Sequence, residues 1–249
     1  MFILFVQFFA VVATSITGSS ARDAFFLNLF DRSYLPLMFV AIAVTMVIVI
    51  NIYKRVTAGR DIIQVMTIGG AIFAATLFII QISLSRLFTM FASGESINDL
   101  PEKWLIPFLF VFMEVIVSLS ILQFWMLAGE VFDARQAKRL FSILGAGGSV
   151  AGMLAGYSLK PFVKVFGSEK LLYLTIFFIG LYVIMGILIK KYREPEDTRK
   201  KKPVSESKEN KTTFKFDPYL KSIALLIGLA AFISKIIDYQ FKMTAVQAF

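Results

Sequence analysis

Few side chains in this sequence are equipped for chemistry. Its 249 residues include no histidine and no cysteine. That removes His-based triads, His proton relays, thiolate nucleophiles, disulfides and Cys/His metal sites. What remains is a handful of charged residues inside or at the ends of apolar stretches: Arg22 and Asp23, Glu114, then Lys235, Asp238 and Lys242. Such groups bind and steer charged solutes, and no acid, base and nucleophile accompany them in the pattern a hydrolase needs. Neither an enzyme activity nor a cofactor is expected.

Glu114 is the most telling of them. It lies ten positions beyond Trp104 in an otherwise charge-free run, which places it about 15 Å along a helix and so near the middle of a bilayer. A charge at that depth costs roughly 2.5–3.5 kcal/mol on insertion scales, so it should face a bundle interior or a wet cavity. On a helical wheel Ser118, Trp125 and Gly129 share its face, and Ser118 joins the candidate binding residues. The plain alternative is a structural carboxylate bonded to a neighbouring helix.

The elements that position these residues are membrane spans. The chain is 57% apolar and 17% charged, with a mean hydropathy of +0.75, whereas soluble domains average about 45–50% and about 25%. Runs without charge cover Met1–Ala21, Ser33–Tyr53, Ile62–Ser85, Leu140–Leu159 and Leu171–Ile189. Each has about the 20 residues a helix needs to cross the hydrocarbon. Trp104–Gly129, interrupted only by Glu114, makes a sixth span, and a seventh begins at Ser222. The first run lacks the basic start of a signal peptide and is expected to be retained.

Loop charge sets the orientation. Lys54, Arg55 and Arg60 lie in the loop after the second span, and Arg135, Lys138 and Arg139 in the loop after the fourth. Eleven further cations lie between Lys190 and Lys221. By the positive-inside rule these loops and the N-terminus face the cytoplasm. The net charge of +9 is then a topology signal, and no nucleic acid is expected as partner.

This gives an all-α membrane protein in three parts: a six-helix bundle over 1–189, a basic cytoplasmic linker over 190–221, and a seventh helix over 222–249. The linker is rich in charge, Pro, Ser and Asn, and is expected to have little order of its own. Six helices, a long linker and a new helix is the layout of the major facilitator fold, whose six-helix half holds two inverted three-helix repeats. The chain then reads as the N-terminal half plus the start of an incomplete second half. Under that symmetry helix 7 matches helix 1, so Arg22 and Lys235 would approach one central cavity. Asp23 and Asp238 would contact the solute there or neutralise their basic neighbours. The stripe Gly145, Gly148, Gly152 and Gly156 is expected to let helices pack closely.

The stretch Phe112–Gly156 resembles the nucleotide transporters of plastids and obligate intracellular bacteria, the ATP:ADP antiporter family. The likeness rests on Glu114, Ser120, Phe124-Trp125, Ala128, Ala137-Lys138-Arg139, Phe141 and Leu144-Gly145. Ala21-Arg22-Asp23-Ala24, Leu35-Pro36 and Asp238-Tyr239-Gln240-Phe241-Lys242 extend it. Arg22 stands where the family usually has Lys, and Gly129 where it usually has Asn. The resemblance implies that Arg22 and Glu114 take part in nucleotide transport.

The expectation is therefore a secondary transporter for an anionic solute of the ATP/ADP kind, working by alternating access within the lipid bilayer. Arg22, Lys235 and Lys242 would meet the solute's charge. The rival is a membrane anchor or scaffold that moves nothing, or a half-transporter completed by a second half or partner chain.

Overall fold

A computed structural model describes residues 2–92, 101–132, 134–192 and 218–248. Among them are seven long helices and no strand: α1 Phe2–Leu29, α2 Leu35–Thr57, α3 Ile62–Ala92, α4 Leu105–Val131, α5 Ala134–Phe166, α6 Leu171–Tyr192 and α7 Pro218–Ala248. The protein is an all-α membrane protein. A membrane leaves no other choice for single segments, because in hydrocarbon every backbone N–H and C=O must be satisfied within the segment.

Six of the seven, all but α5, are long and apolar enough among the described residues to cross a bilayer. The seven-span expectation thus holds for six by this measure. α5 runs 33 residues but separates a polar from an apolar face. Its interior is rich in glycine and serine, and lysines and arginines stand near its ends. Most of the expected linker lies in 193–217, outside the described residues. Its two ends are helical, since α6 runs on to Tyr192 and α7 starts at Pro218.

Contacts divide the chain into two units, Met1–Arg193 and Glu194–Phe249. In the first, α1 is the central post and packs on α4, α5 and α6; α3 packs on α4 and α6, and α2 on α4. This set of principal contacts maps onto itself when α1, α2 and α3 are exchanged with α4, α5 and α6. The pair α1–α5 becomes α4–α2, α1–α6 becomes α4–α3, and α1–α4 and α3–α6 are unchanged. Two three-helix repeats would produce this pattern.

The packing differs from that of a soluble bundle in its exterior, which is as apolar as its core. The centre holds Phe8, Phe26, Phe110 and Phe124, while Leu37, Val40, Val44, Val47 and Ile48 of α2 point outward. Only Leu35 and Ile42 of α2 are buried. Rings lock α1 to α4: Phe8 stacks on Phe124 at 4.5 Å and Phe26 lies 4.9 Å from Phe110.

Small residues bring α5 onto α1, as the glycine stripe led us to expect, but the register differs. A methyl group on Gly147 or Gly148 would collide with Phe5 or Phe8, and one on Gly152 would touch Ile16. Gly145 and Gly156 face open space. The contact face is Gly147, Gly148, Ala151, Gly152 and Ala155, one step round the helix from the glycines alone.

At the α2–α3 turn Gly59 takes φ 73°, a left-handed conformation that a side chain would resist. The turn closes with the Arg60 N–H donating to the Thr57 carbonyl at 3.1 Å. At the α1–α2 turn the Ser33 N–H donates to Asp31 at 2.8 Å, which holds that carboxyl below the usual carboxylate range.

Candidate functional site

The two residues singled out first by sequence meet. Arg22 Nη1 donates to Glu114 Oε2 at 2.6 Å, and Arg22 Nε donates to Asp23 Oδ1 at 3.1 Å. The guanidinium also sits 4.5 Å from the centre of the Phe110 ring. Only 4% of the Arg22 side chain is exposed, against 19% for Glu114 and 23% for Asp23. A buried arginine of this kind is tolerable only with its charge matched and its donors used. Arg is suited to the place, since its planar fork engages carboxylates and stacks on rings at once.

Among the described contacts, Arg22 meets two carboxylates. With both carboxylates ionised, a phosphate approaching Arg22 has to displace one of them. Exchange of carboxylate for phosphate on a guanidinium is chemically easy, because each offers two anionic oxygens that can accept paired N–H bonds. Arg22 is thus guarded by its own partners.

The helical wheel drawn for α4 is partly realised. Trp125, on the face of Glu114, packs against Phe8 of α1 at 5.6 Å. Ser118 is half-buried one turn from Glu114, and Gly129 is exposed. On α7, Lys235, Asp238 and Lys242 recur at spacings of three and four and so share one face. Lys242 Nζ donates to Asp238 Oδ2 at 2.8 Å. Asp23 and Asp238 thus each have a basic neighbour within hydrogen-bond distance.

Sequence reasoning passed over Phe110, although it precedes Glu114 by four residues and so lies on the same helix face. It also passed over the uncharged polar residues inside the spans. Tyr182 of α6 donates its hydroxyl to Gln123 Oε1 of α4 at 2.7 Å, both side chains being buried. The hydroxyls of Thr17 and Thr175 lie 3.1 Å apart between α1 and α6. Gln7 and Thr14 of α1 are buried with side-chain polar atoms that have no hydrogen-bond partner among the described residues. Residues 7, 14 and 22 recur close to every seventh position, one stripe of α1, and that spacing was the available signal.

Two cavities of about 370 Å³ each open in this unit. One lies between α2, α3 and α4, the other between the α1–α2 turn and the start of α4. Neither is lined by Arg22 or Glu114. Among the described residues no cluster of acidic side chains could hold a metal ion.

Against known proteins, the chain is 30% identical over 74 residues to a protein of Rickettsia bellii (strain RML369-C) named ADP,ATP carrier protein 3. The match covers 29% of this chain and 15% of that carrier. No family model matches the chain, and no solved structure does. The likeness is thus local, covering a minority of this chain and a small part of that carrier.

Proposed function

We propose that this chain belongs to a secondary transporter of the major facilitator type, carrying an anionic solute of the nucleotide class, ATP or ADP. The observation that carries the proposal is the Arg22–Glu114 pair joining α1 to α4, its arginine buried and its carboxylate half-buried. The helix contacts that map onto themselves between 1–3 and 4–6 support the fold. The local likeness to an ADP,ATP carrier supports the solute class.

In this reading the solute's phosphates compete with Glu114 for Arg22. When the site is empty, the pair ties α1 to α4. When phosphate takes the guanidinium, Glu114 is released, and α1 and α4 lose their charged tie while the ring contacts between them remain. Lys235, Asp238 and Lys242 of α7, which by sequence is the counterpart of α1 in a second half, are the further residues proposed to bind the solute. Ser118 lines the same path. The N-terminus and the α2–α3 turn face the cytoplasm, in a bacterial plasma membrane.

The test is uptake of labelled ATP, ADP, phosphate and nucleosides into liposomes carrying the full-length protein. Nucleotide should enter and exchange, and Arg22→Ala or Glu114→Gln should each reduce the rate at least tenfold. A variant as fast as the parent sinks the site. A stable, well-folded protein that moves none of the four solutes is a membrane scaffold instead.

A further inference from the structure

The cavity between α2, α3 and α4 has a graded wall. At one end stand Arg60 and Gln64; beyond them the lining becomes Val65, Ile68, Ile72, Phe73 and Leu119. From Arg60 to Phe73 the groove follows α3 for about 20 Å, somewhat more than the roughly 15 Å from headgroup level to the bilayer midplane. Gly69 leaves its floor open, because a methyl group there would meet only the Gln123 amide, at 3.8 Å. The side of α2 next to it is thinly packed, so the groove opens toward lipid.

Its mouth is positively charged. Lys54, Arg55 and Arg60 cluster at the α2–α3 turn, are exposed, and form no ion pair among the described residues. The nearest carboxylate in sequence, Asp61, instead accepts from the Ile63 N–H at the start of α3. Just inside, the Tyr53 hydroxyl is buried beside the Gln123 side chain, with no acceptor for its own proton among the described residues. A ligand that satisfies this wall has an anionic, hydrogen-bonding head and one long apolar tail.

We propose that the groove is a binding site for an anionic phospholipid of the leaflet at the α2–α3 turn. The phosphate sits at Arg60, with Lys54 and Arg55 beside it, and one acyl chain lies along Ile68, Ile72 and Phe73. The Tyr53 hydroxyl donates to an oxygen of the ester region. Interfacial cations near an anionic headgroup and an apolar channel of matching depth are the two requirements for retaining a particular lipid. The site stands apart from Arg22 and Glu114 and does not depend on what the protein transports.

The experiment is native mass spectrometry of the full chain released from mild detergent, titrated with phosphatidylglycerol or phosphatidylcholine of identical acyl chains. The parent should retain one phosphatidylglycerol in preference to phosphatidylcholine. Arg60→Gln should lower that preference about fivefold, the weight of one interfacial cation, and Arg60→Lys should keep it. Gly69→Leu, which fills the floor, should abolish retention of both lipids while helicity and melting stay at the parent's values. Equal retention of the two lipids by the parent overturns the proposal. So does an unchanged preference in Arg60→Gln, retention that survives Gly69→Leu, or a second copy of the chain in the lipid's place.

Discussion

Arg22 of α1 and Glu114 of α4 are 92 residues apart in the chain and 2.6 Å apart in space. Breaking a buried pair from one side leaves a charge without compensation, which costs more than never having had the pair. Asp23 stays on Nε, so the loss is softened. Glu114→Gln should destabilise the protein by about 2–4 kcal/mol in denaturant unfolding from detergent. The double variant Arg22→Met with Glu114→Met should recover most of that. A Glu114→Gln protein as stable as the parent would mean that Asp23 alone satisfies the arginine.

The Tyr182–Gln123 bond between α6 and α4 makes a similar, smaller prediction. Tyr182→Phe leaves the Gln123 carbonyl buried and unpaired, at about 1–3 kcal/mol. Adding Gln123→Leu removes the orphan, and the melting temperature should climb back toward the parent's. If it falls further, packing rather than the hydrogen bond holds these two helices together.

The seam between α1 and α5 can be tested glycine by glycine. Gly148→Ala drives a methyl group to within 2.5 Å of the Phe8 ring, which is itself held against Phe124, so it cannot swing aside freely. We expect a loss of about 1–3 kcal/mol from overpacking. Gly156→Ala meets open space and should be neutral or gain up to about 1 kcal/mol of helix propensity. Thermal unfolding of the two variants side by side decides it. Equal effects would show that α5 does not rest on α1 in this register.

Because the chain has no cysteine, single introduced thiols report orientation without background. Ser33 and Ala58 are exposed at the turns on either end of α2. With the positive-inside orientation, a membrane-impermeant maleimide should label Ser33→Cys in intact cells and Ala58→Cys only after permeabilisation. The reverse pattern would invert the topology and move the lipid site to the other leaflet.

How much of this was legible in the sequence differs by feature. Span positions were, because absence of charge over about 20 residues is a direct consequence of hydrocarbon solvation: the run from Leu171 and α6 begin at the same residue. Helix ends were less so. α5 continues through Arg135 and Lys138 at one end and Lys160 and Lys164 at the other, since backbone hydrogen bonding continues past the point where a segment can leave lipid. Arg22 and Glu114 stood out singly, as charges in apolar surroundings do. That each is the other's partner is a long-range fact that one-dimensional spacing does not contain. Gln7 and Thr14 of α1 were readable from their near-sevenfold spacing with Arg22 but lacked the charge that draws attention.

The span between the two halves of that ion pair has a consequence for how the protein is made. α1 enters the bilayer with its arginine in place, and the matching glutamate emerges only 92 residues later. At about 5–20 residues per second of synthesis, that is a delay of roughly 5–20 s. Throughout it the nascent segment carries a charge whose mate does not yet exist. Asp23, the very next residue, is the sole acidic group in α1, and it travels with Arg22 from the ribosome onward as an escort until α4 arrives.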